Sequence, residues 1–245
     1  MQHPPLLSNQ IALVTGGSQG YGLGIARELV RAGARVFITA RHTERLEKAA
    51  AETGALPITA DATRAEDWER VLEIIATKAG TPDILINNAG AGVRIAPVEE
   101  QSVEEIRQAL EVNLFASILG ARAVIPGMKA RGRGTIIQIS SICERNSWPG
   151  WAVYGAAKAG LRQFSEGLHT EVRSHGIRVT TLVPSWGLTS FQNAAALDEF
   201  DPATAARVTK PEELGAVVVH LCSLPDHLVA LDMTLLPLVQ EIVPL

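Results

Sequence analysis

Three polar residues near the middle of the chain have types and spacings suited to acid–base chemistry on a carbonyl group. Tyr154 and Lys158 are four residues apart, so on a helix both side chains leave one face and the ammonium lies close to the phenol. We expect this cation to lower the pKa of the phenol from its usual value of ~10, which would let Tyr154 donate or accept a proton near neutrality. Ser141 directly follows the apolar run TIIQIS, from Thr135, which is a predicted buried strand, and ligands bind at such carboxyl ends of parallel sheets. Taken alone, a YxxxK pair is more often an exposed helical contact, so the surrounding motifs must decide.

A glycine-rich segment near the N-terminus predicts a phosphate-binding turn. The strand-like run IALVT, from Ile11, leads directly into GGSQGYGLG and then into a helical pattern. Glycines allow a tight turn and a close approach of the pyrophosphate, and a helix N-terminus offers free N–H groups and the positive end of its dipole. The predicted contacts with the cofactor are Gly16, Ser18, Gln19, Gly20, Tyr21 and Gly22.

The end of the second predicted strand indicates which nicotinamide cofactor binds. NAD sites usually have Asp or Glu there for the ribose hydroxyls, whereas this chain has Ala40 followed by Arg41. A guanidinium can stack on adenine and pair with the 2′-phosphate of NADP. A solvated arginine is the alternative, but a cation is poorly placed at a helix start. We therefore expect NADP(H), with His42 and Thr43 as neighbours that assist Arg41.

Composition excludes several classes of protein. The net charge of −4 and pI of about 5.9 show no basic patch of the kind that binds nucleic acid. The opening MQHPPLLSNQ lacks the pattern of a signal peptide, and we expect no stretch with the ~20 apolar residues of a membrane helix. Two cysteines provide neither a disulfide framework nor metal-ligand spacing, so no metal is expected and a reducing cytoplasmic compartment fits best.

Strand and helix patterns alternate along the whole chain and predict an α/β fold. At 245 residues, the sequence suits one domain, 1–245, with a single Rossmann-like, doubly wound parallel sheet of about seven strands and helices on both faces. Thr63 and Glu66 have the spacing of a helix capping box. Residues 185–210 interrupt the alternation, and a mobile lid over the site and an ordinary surface excursion are equally compatible with their composition. After a last strand from Asp232, the apolar tail is expected to pack on this subunit or on a neighbour.

In its motifs, the chain resembles the short single-domain branch of the short-chain dehydrogenase/reductase family over nearly its whole length. TGGSQGYG matches TGxxxGxG, NNAG follows the fourth strand, and a serine precedes YxxxK at the family interval. A small residue followed by arginine after the second strand is similar to NADP-dependent ketone reductases. The matching positions that the resemblance assigns to cofactor binding, beyond those above, are Asp61, Ala62, Asn88, Ala89, Gly90, Pro184 and Thr189, together with Tyr154 and Lys158.

The resemblance also implies a role for each polar residue of the site. Tyr154 would protonate the carbonyl oxygen while the nicotinamide delivers hydride to carbon, and Ser141 would hold that oxygen by a hydrogen bond. Lys158 would bind the nicotinamide ribose, and Asn113 would position a water that links Lys158 to solvent. It further implies a homodimer or homotetramer, for which the small residues GAAKAG, from Gly155, would permit close helix contact; they would equally suit packing within one subunit.

Two segments depart from the family pattern. Pro184 is followed by Ser185 where the family has glycine, although Thr189 keeps the spacing of the threonine that binds the carboxamide. The sequence LLPLVQ replaces the Asp-Gly-Gly that is common after the last strand, which bears on the tail contacts of a tetramer.

Several large side chains lie near these motifs in sequence and are candidates for substrate contact. Trp148 and Trp151 lie between Ser141 and the YxxxK motif, Trp186 opens the segment 185–210, and Arg94 follows the fourth strand. The rings would flank a ring or an apolar chain, and the arginine would pair with a carboxylate. Any one tryptophan would equally suit the core or a subunit contact.

Three functions remain open at this point. The leading prediction is an NADPH-dependent reductase of a small-molecule ketone that also works as an alcohol dehydrogenase. A 3-oxoacyl-thioester reductase would need a basic surface beside the cleft, and no cluster supports one. A non-catalytic NADP-binding regulator would not need to retain all four polar residues.

Overall fold

The computed structural model describes residues 6–90, 93–195 and 197–241. The strands form one sheet in the order β3-β2-β1-β4-β5-β6-β7, and every neighbouring pair is parallel. They are β1 (Ile11–Thr15), β2 (Arg35–Ala40), β3 (Leu56–Thr59), β4 (Ile84–Asn87), β5 (Gly134–Ile139), β6 (Ile177–Pro184) and β7 (Asp232–Leu235). This confirms the predicted doubly wound sheet of seven strands. The expectations for residues 1–5 and for the end of the tail, 242–245, lie outside the described residues.

Helices cover both faces of the sheet. They are α1 (Gly20–Arg31), α2 (Thr43–Thr53), α3 (Ala65–Lys78), α4 (Val103–Leu110), α5 (Ala116–Arg131), α6 (Ala152–Val172), α7 (Phe191–Ala194), α8 (Pro202–Ala205) and α9 (Pro211–Cys222). Alternate residues of each strand enter opposite cores, so Val14 packs with α1 and α9 whereas Leu13 packs with α3, α5 and α6. Because both faces of the central strands are buried, these strands are largely apolar, and ligand-accessible polar groups lie at strand ends.

Helices α1 and α9 pack in direct backbone contact. A Cβ added at Gly24 would lie 2.3 Å from the carbonyl carbon of Pro211, and one added at Gly215 would lie 2.7 Å from the carbonyl oxygen of Gly24. Glycines at these positions therefore allow the helix that begins at the glycine-rich turn to lie tightly against the helix that follows the segment 185–210.

The capping box predicted for α3 is wrong. Arg64 is the N-cap and makes no side-chain capping bond. The Thr63 hydroxyl instead donates to Asp61 Oδ1 at 2.7 Å, since the chain turns there from β3 toward the helix. A capping box is present at α4, where Glu105 N donates to Ser102 Oγ at 3.2 Å and Ser102 N donates to the Glu105 carboxylate at 2.7 Å.

Helices α4 and α5 are joined by a π-helical turn, Glu111–Phe115, into one 29-residue helical stretch. An 18-residue window in it has a mean hydropathy of 1.4, so by length and composition alone it would be able to cross a membrane. This corrects the expectation that no segment reaches that length and hydropathy. Val124 and Met128 of α5 are fully buried in the core shared with α3 and α6, as is usual for a core helix of this composition.

Candidate active site

A cavity of about 980 Å³ opens where the carboxyl ends of the strands meet. Its lining includes the glycine-rich turn, the residues that follow β2, β3 and β4, the loop after β5, the start of α6 and the segment after β6. A ligand in it would therefore lie along the edge of the sheet at which doubly wound folds bind dinucleotides.

The glycine-rich turn and the start of α1 line one end of this cavity. Gly20 has φ of +53°, a conformation that side chains disfavour, and it begins α1, whose first turn contains no acidic residue. A Cβ at Gly22 would lie 2.2 Å from the carbonyl oxygen of Gly16, so the turn closes only with glycine there. Ser18, Gln19 and Tyr21 line the cavity as well. The turn therefore has the geometry of an anion site.

The NNAG motif fixes the glycine-rich turn to the end of β4. Asn88 Nδ2 donates to the carbonyl oxygen of Thr15 at 2.9 Å, and the backbone N–H groups of Asn88 and Ala89 donate to Thr15 Oγ1 at 3.0 and 2.9 Å. The side chain of Asn87 is buried, and its Nδ2 donates a hydrogen bond to the carbonyl oxygen of Ser117. These bonds make Asn88 a support of the turn as well as a residue of the cavity wall.

Two arginines and a carboxylate line the part of the cavity beyond β2 and β3. Arg41 follows β2 as predicted, and Arg45, one helical turn further, donates to Gln19 Oε1 at 2.7 Å. Sequence reasoning missed Arg45, although its i,i+4 relation to Arg41 was visible. The Asp61 carboxylate accepts hydrogen bonds from the backbone N–H and the hydroxyl of Thr63, at 3.0 and 2.7 Å. The carbonyl oxygen of Ala62 accepts a hydrogen bond from the indole N–H of Trp68 at 2.9 Å, which fixes the position of Ala62.

The four residues predicted to carry catalysis converge at the other end. Ser141 caps a single 3₁₀ turn after β5, and its hydroxyl forms a hydrogen bond with that of Tyr154. Lys158 Nζ lies 5.7 Å from the centre of the Tyr154 ring and donates to the carbonyl oxygen of Ile139 at 3.0 Å. A Cβ at Gly90 would lie 2.9 Å from Asn113 Oδ1 and 3.5 Å from Lys158 Nζ, so the absence of a side chain at Gly90 leaves space for both of these groups. Asn113 itself lies in the π-helical turn and is fully buried.

The pKa of Tyr154 is raised, not lowered as the sequence predicted. Burial of the phenol is the dominant cause, and the hydrogen bond from Ser141 opposes it only in part. Burial also lowers the pKa of Lys158 to about 8. Attraction between the two groups would by itself lower the pKa of the phenol, but both side chains are enclosed, and desolvation is the largest effect on each. Tyr154 is therefore a protonated phenol at neutral pH, which suits a proton donor.

The segment after β6 lies against the glycine-rich turn. Tyr21 Oη donates to the carbonyl oxygen of Ser185 at 3.3 Å, and a Cβ added at Gly187 would lie only 1.8 Å from this oxygen of Tyr21. Thr189 approaches Gly20, whose added Cβ would lie 3.3 Å from the threonine Cβ. Pro184, the last residue of β6, and Thr189 both line the cavity, as the resemblance implied.

Aromatic rings form the wall around Tyr154. The Trp151 and Phe191 rings are stacked, with centroids 6.1 Å apart, and each lies 5.6 Å from the ring of Tyr154. Trp186 packs against Phe200 at 5.4 Å. Trp148 also lines the cavity, so all three predicted tryptophans do. The two phenylalanines were missed because nothing in the sequence of 185–210 shows which of its residues turn inward.

Arg94 does not line the cavity. Its guanidinium donates to the backbone oxygen of Glu100 at 2.7 Å and forms an ion pair with the Glu100 carboxylate at 3.3 Å, on the surface. The expected contact between Arg94 and a substrate carboxylate has no support in this arrangement, because its charge is already engaged elsewhere.

A buried carboxylate supports the loop that carries Ser141. Glu144 is enclosed and pairs with Arg145 at 3.0 Å and with Arg162 of α6 at 3.6 Å, and Arg145 also pairs with Asp232 of β7. Burial raises the pKa of Glu144 despite these cations. The network ties the loop that carries Ser141 to α6 and to the edge of the sheet.

Comparison with known proteins gives one consistent family. The sequence model described as short chain dehydrogenase matches residues 10–199. The chain is 35% identical to "NADP-dependent 3-hydroxy acid dehydrogenase YdfG" of Salmonella typhi, over 94% of this chain and 96% of the relative. It is 32% identical to "Dehydrogenase/reductase SDR family member 4" of Oryctolagus cuniculus, over 89% and 88%. The solved structure of the closed form of serine dehydrogenase complexed with NADP⁺ superposes with a TM-score of 0.88 at 31% identity, covering 96% of this chain and 98% of that one.

Proposed function

We propose that this chain, which belongs to the short-chain dehydrogenase/reductase family, reduces a ketone to a secondary alcohol with NADPH and catalyses the reverse oxidation. The observation that supports this most directly is the convergence of Ser141, Tyr154 and Lys158 at one end of a cavity whose other end is a glycine-rich turn, with Asn113 buried behind the cavity wall near Gly90. An anion site and a proton donor are thereby joined by one continuous space, as hydride transfer from a dinucleotide requires.

The cavity fits a phosphorylated dinucleotide. The N–H groups at the start of α1 would hold the pyrophosphate, and Arg41 and Arg45 would pair with the 2′-phosphate. Two similar proteins support this choice of cofactor, since one is named as NADP-dependent and the other was solved with NADP⁺ bound. When bound, the nicotinamide supplies or accepts the hydride.

The residues of this chain supply the proton and hold the reacting oxygen. Hydride addition at the carbonyl carbon leaves negative charge on oxygen, and Tyr154 Oη transfers its proton to that oxygen; oxidation reverses both transfers. Ser141 donates a hydrogen bond to the same oxygen and stabilises the charge as it develops. Lys158, whose ammonium donates to the backbone of β5, provides positive charge beside the phenol when it is protonated.

The test is NADPH oxidation with a panel of ketones, followed at the nicotinamide absorbance, in the parent and in Tyr154→Phe. The variant retains the ring and lacks only the hydroxyl, so we expect NADPH binding within about twofold of the parent and a fall in kcat of about 10³-fold. Equal kcat values in parent and variant would refute the proton-transfer role. Tight NADPH binding without turnover of any ketone would favour a non-catalytic regulator.

A second candidate is oxidation of a small 3-hydroxy acid, because that activity appears in the name of a relative 35% identical to this chain. It uses the same four residues in the same roles and differs only in what the substrate side of the cavity must recognise. Reduction of a 3-oxoacyl thioester would likewise share the chemistry. The assay panel therefore includes 3-hydroxy acids with NADP⁺ and an acyl thioester with NADPH.

We also propose a single domain that forms a homo-oligomer in a reducing, cytoplasmic compartment. Val103, Leu110 and Phe115 are exposed along one helical stretch, which would favour a subunit contact there. The glycines of GAAKAG, by contrast, pack inside this subunit: a Cβ at Gly160 would lie 3.1 Å from the side chain of Leu114. Sedimentation of the purified protein tests the assembly.

A further inference from the structure

We propose that the substrate side of this cavity selects uncharged aromatic ketones and discriminates against ketones that carry a carboxylate. The inference rests on the proposed function and specifies its substrate class. It separates this chain from the activity in the name of its 3-hydroxy acid dehydrogenase relative. The structural basis is an aromatic wall combined with four acidic residues that line the cavity and are exposed to solvent, Glu104, Glu111, Asp198 and Glu241, which we call the mouth.

The aromatic wall surrounds the proton donor. The mutually packed rings of Trp151, Tyr154 and Phe191 continue into a cluster with Ile142 and Val112. A ring that packs on this surface buries apolar area and gains offset or edge-to-face contacts of about 0.5–1.5 kcal/mol each.

On the segment after β6, a second aromatic pair enlarges this wall. The rings of Trp186 and Phe200 lie 5.4 Å apart, and both line the cavity, with Trp186 still 40% exposed. A substrate that extends away from Tyr154 therefore meets further apolar surface.

The charges at the mouth are negative. Glu104 and Glu111 lie on the helical stretch 103–131, Asp198 follows β6 and Glu241 follows β7, and all four line the same cavity and are exposed to solvent. Glu104 is partly neutralised by Arg107 at 3.0 Å. At low ionic strength, the remaining carboxylates repel an anionic ligand that enters between them.

The basic groups that line the cavity serve its other parts. Arg41, His42 and Arg45 follow β2, where the adenosine end of a dinucleotide lies, and Lys158 is buried beneath Tyr154 with its ammonium bonded to β5. Arg94 is paired with a glutamate outside the cavity. Residues 1–5, 91, 92, 196 and 242–245, which lie outside the described ranges, include no Lys or Arg in the sequence.

A carboxylate on the substrate would therefore lose hydration against indole and phenyl rings and meet acidic groups at the mouth. Removing a charge from water without a partner is costly, whereas the methyl ester of the same acid has no charge to desolvate. The pocket should consequently separate an ester from its acid by charge alone.

The experiment compares 4-acetylphenylacetate with its methyl ester as substrates for NADPH-dependent reduction by the purified protein. The methylene group insulates the ketone from the carboxyl group, so the two compounds have similar intrinsic reactivity. We expect kcat/KM for the ester to exceed that for the acid by at least about tenfold at low salt, and the ratio to fall as salt is added. Equal values, or preference for the acid, would overturn the inference and leave the proposed ketone reduction standing.

A pair of charge variants tests the mouth itself. In the double variant Glu111→Gln/Asp198→Asn, we expect the ester-to-acid ratio to fall by about threefold or more. Glu171→Gln, an exposed glutamate of α6 outside the cavity lining, changes net charge in the same sense and should leave the ratio unchanged. An unchanged ratio in the double variant, or an equal fall in the control, would contradict the charge argument. If neither compound nor any other ketone is reduced while NADPH binds, the proposed function itself fails.

Discussion

Replacing Gly187 by alanine should weaken NADPH binding through Tyr21, a residue of the glycine-rich turn. The added Cβ would lie 1.8 Å from Tyr21 Oη and 2.4 Å from Cζ, so the ring cannot keep its position. Displacing it breaks the hydrogen bond to the carbonyl oxygen of Ser185 and disturbs a side chain that lines the cofactor end of the cavity. The turn and the segment after β6 would then no longer hold each other in place.

The size of the effect follows from these contacts. Loss of one partly buried hydrogen bond costs about 1 kcal/mol, and overpacking typically costs about 1–3 kcal/mol, part of which is relieved by motion of the ring. If about 1.4 kcal/mol of this appears in binding, the Kd for NADPH rises about tenfold. In a Tyr21→Leu background, the three tyrosine atoms nearest the new Cβ are absent, so Gly187→Ala should reduce the free energy of NADPH binding by less than about 0.5 kcal/mol.

The assay is a double-mutant cycle on NADPH affinity, measured by fluorescence titration of the parent, Gly187→Ala, Tyr21→Leu and the double variant. We expect a coupling energy of about 1 kcal/mol, with the double variant binding nearly as tightly as Tyr21→Leu alone. Melting temperatures of all four proteins show whether each is folded. Additive losses, within about 0.5 kcal/mol, would refute the idea that Gly187 acts on the cofactor site through Tyr21.

Three further perturbations test other contacts. Arg41→Asp should weaken the binding of NADPH far more than that of NADH, since a carboxylate would then face the 2′-phosphate, and we expect the ratio of the two Kd values to change by about tenfold. An unchanged ratio in titrations of both cofactors would contradict the NADP assignment. Burial lowers the pKa of Lys158 to about 8, so the unfolded chain binds more protons between about pH 8 and 10.5, and stability attributable to this residue must rise with pH across that window. We therefore expect the unfolding free energy of the parent, relative to that of Lys158→Met, to rise by about 2 kcal/mol from about pH 7.5 to 9.5. Denaturant curves that give the same difference between the two proteins at both pH values would disprove this. Gly24→Ala should destabilise the fold by at least about 2 kcal/mol, because its Cβ would meet the backbone of Pro211. As a control, Gly167→Ala, whose Cβ meets no atom within 4 Å among the described residues, should be neutral or slightly stabilising. Equal thermal shifts in the two variants would show that the α1–α9 contact is not tight.

Much of the fold was predictable from local pattern. The strand beginning at Ile11, the stop of α2 at Gly54 in a left-handed conformation and the final strand from Asp232 all lie where the sequence placed them. Apolar runs and glycine stops act over a few residues, so they can be read locally. The capping of α3 was wrong because Thr63 bonds to a residue of the preceding turn, and a spacing rule cannot represent that competition.

At the site, the meeting of Ser141, Tyr154 and Lys158 was predictable because a strand end and one helical turn define it. The pKa of the phenol was not, since it depends on how completely distant segments enclose it. The inward position of Phe191 and the outward pairing of Arg94 likewise depend on the course of irregular loops. Local spacing therefore indicated the chemistry, and tertiary enclosure determined proton affinity and the character of the substrate pocket.

The π-helical turn at Glu111–Phe115 separates α4, which borders the cavity, from α5, which packs in the core. A wider turn accommodates an additional residue, which rotates the side chains of α4 by about 100° relative to an uninterrupted helix. Glu104 thereby borders the cavity while Val124 stays in the core. Changes at the exposed positions of α4 can consequently alter what the entrance admits, provided that buried Ala109 keeps its packing against the cluster around Tyr154. These exposed positions therefore suit engineered libraries that seek new substrates at constant stability.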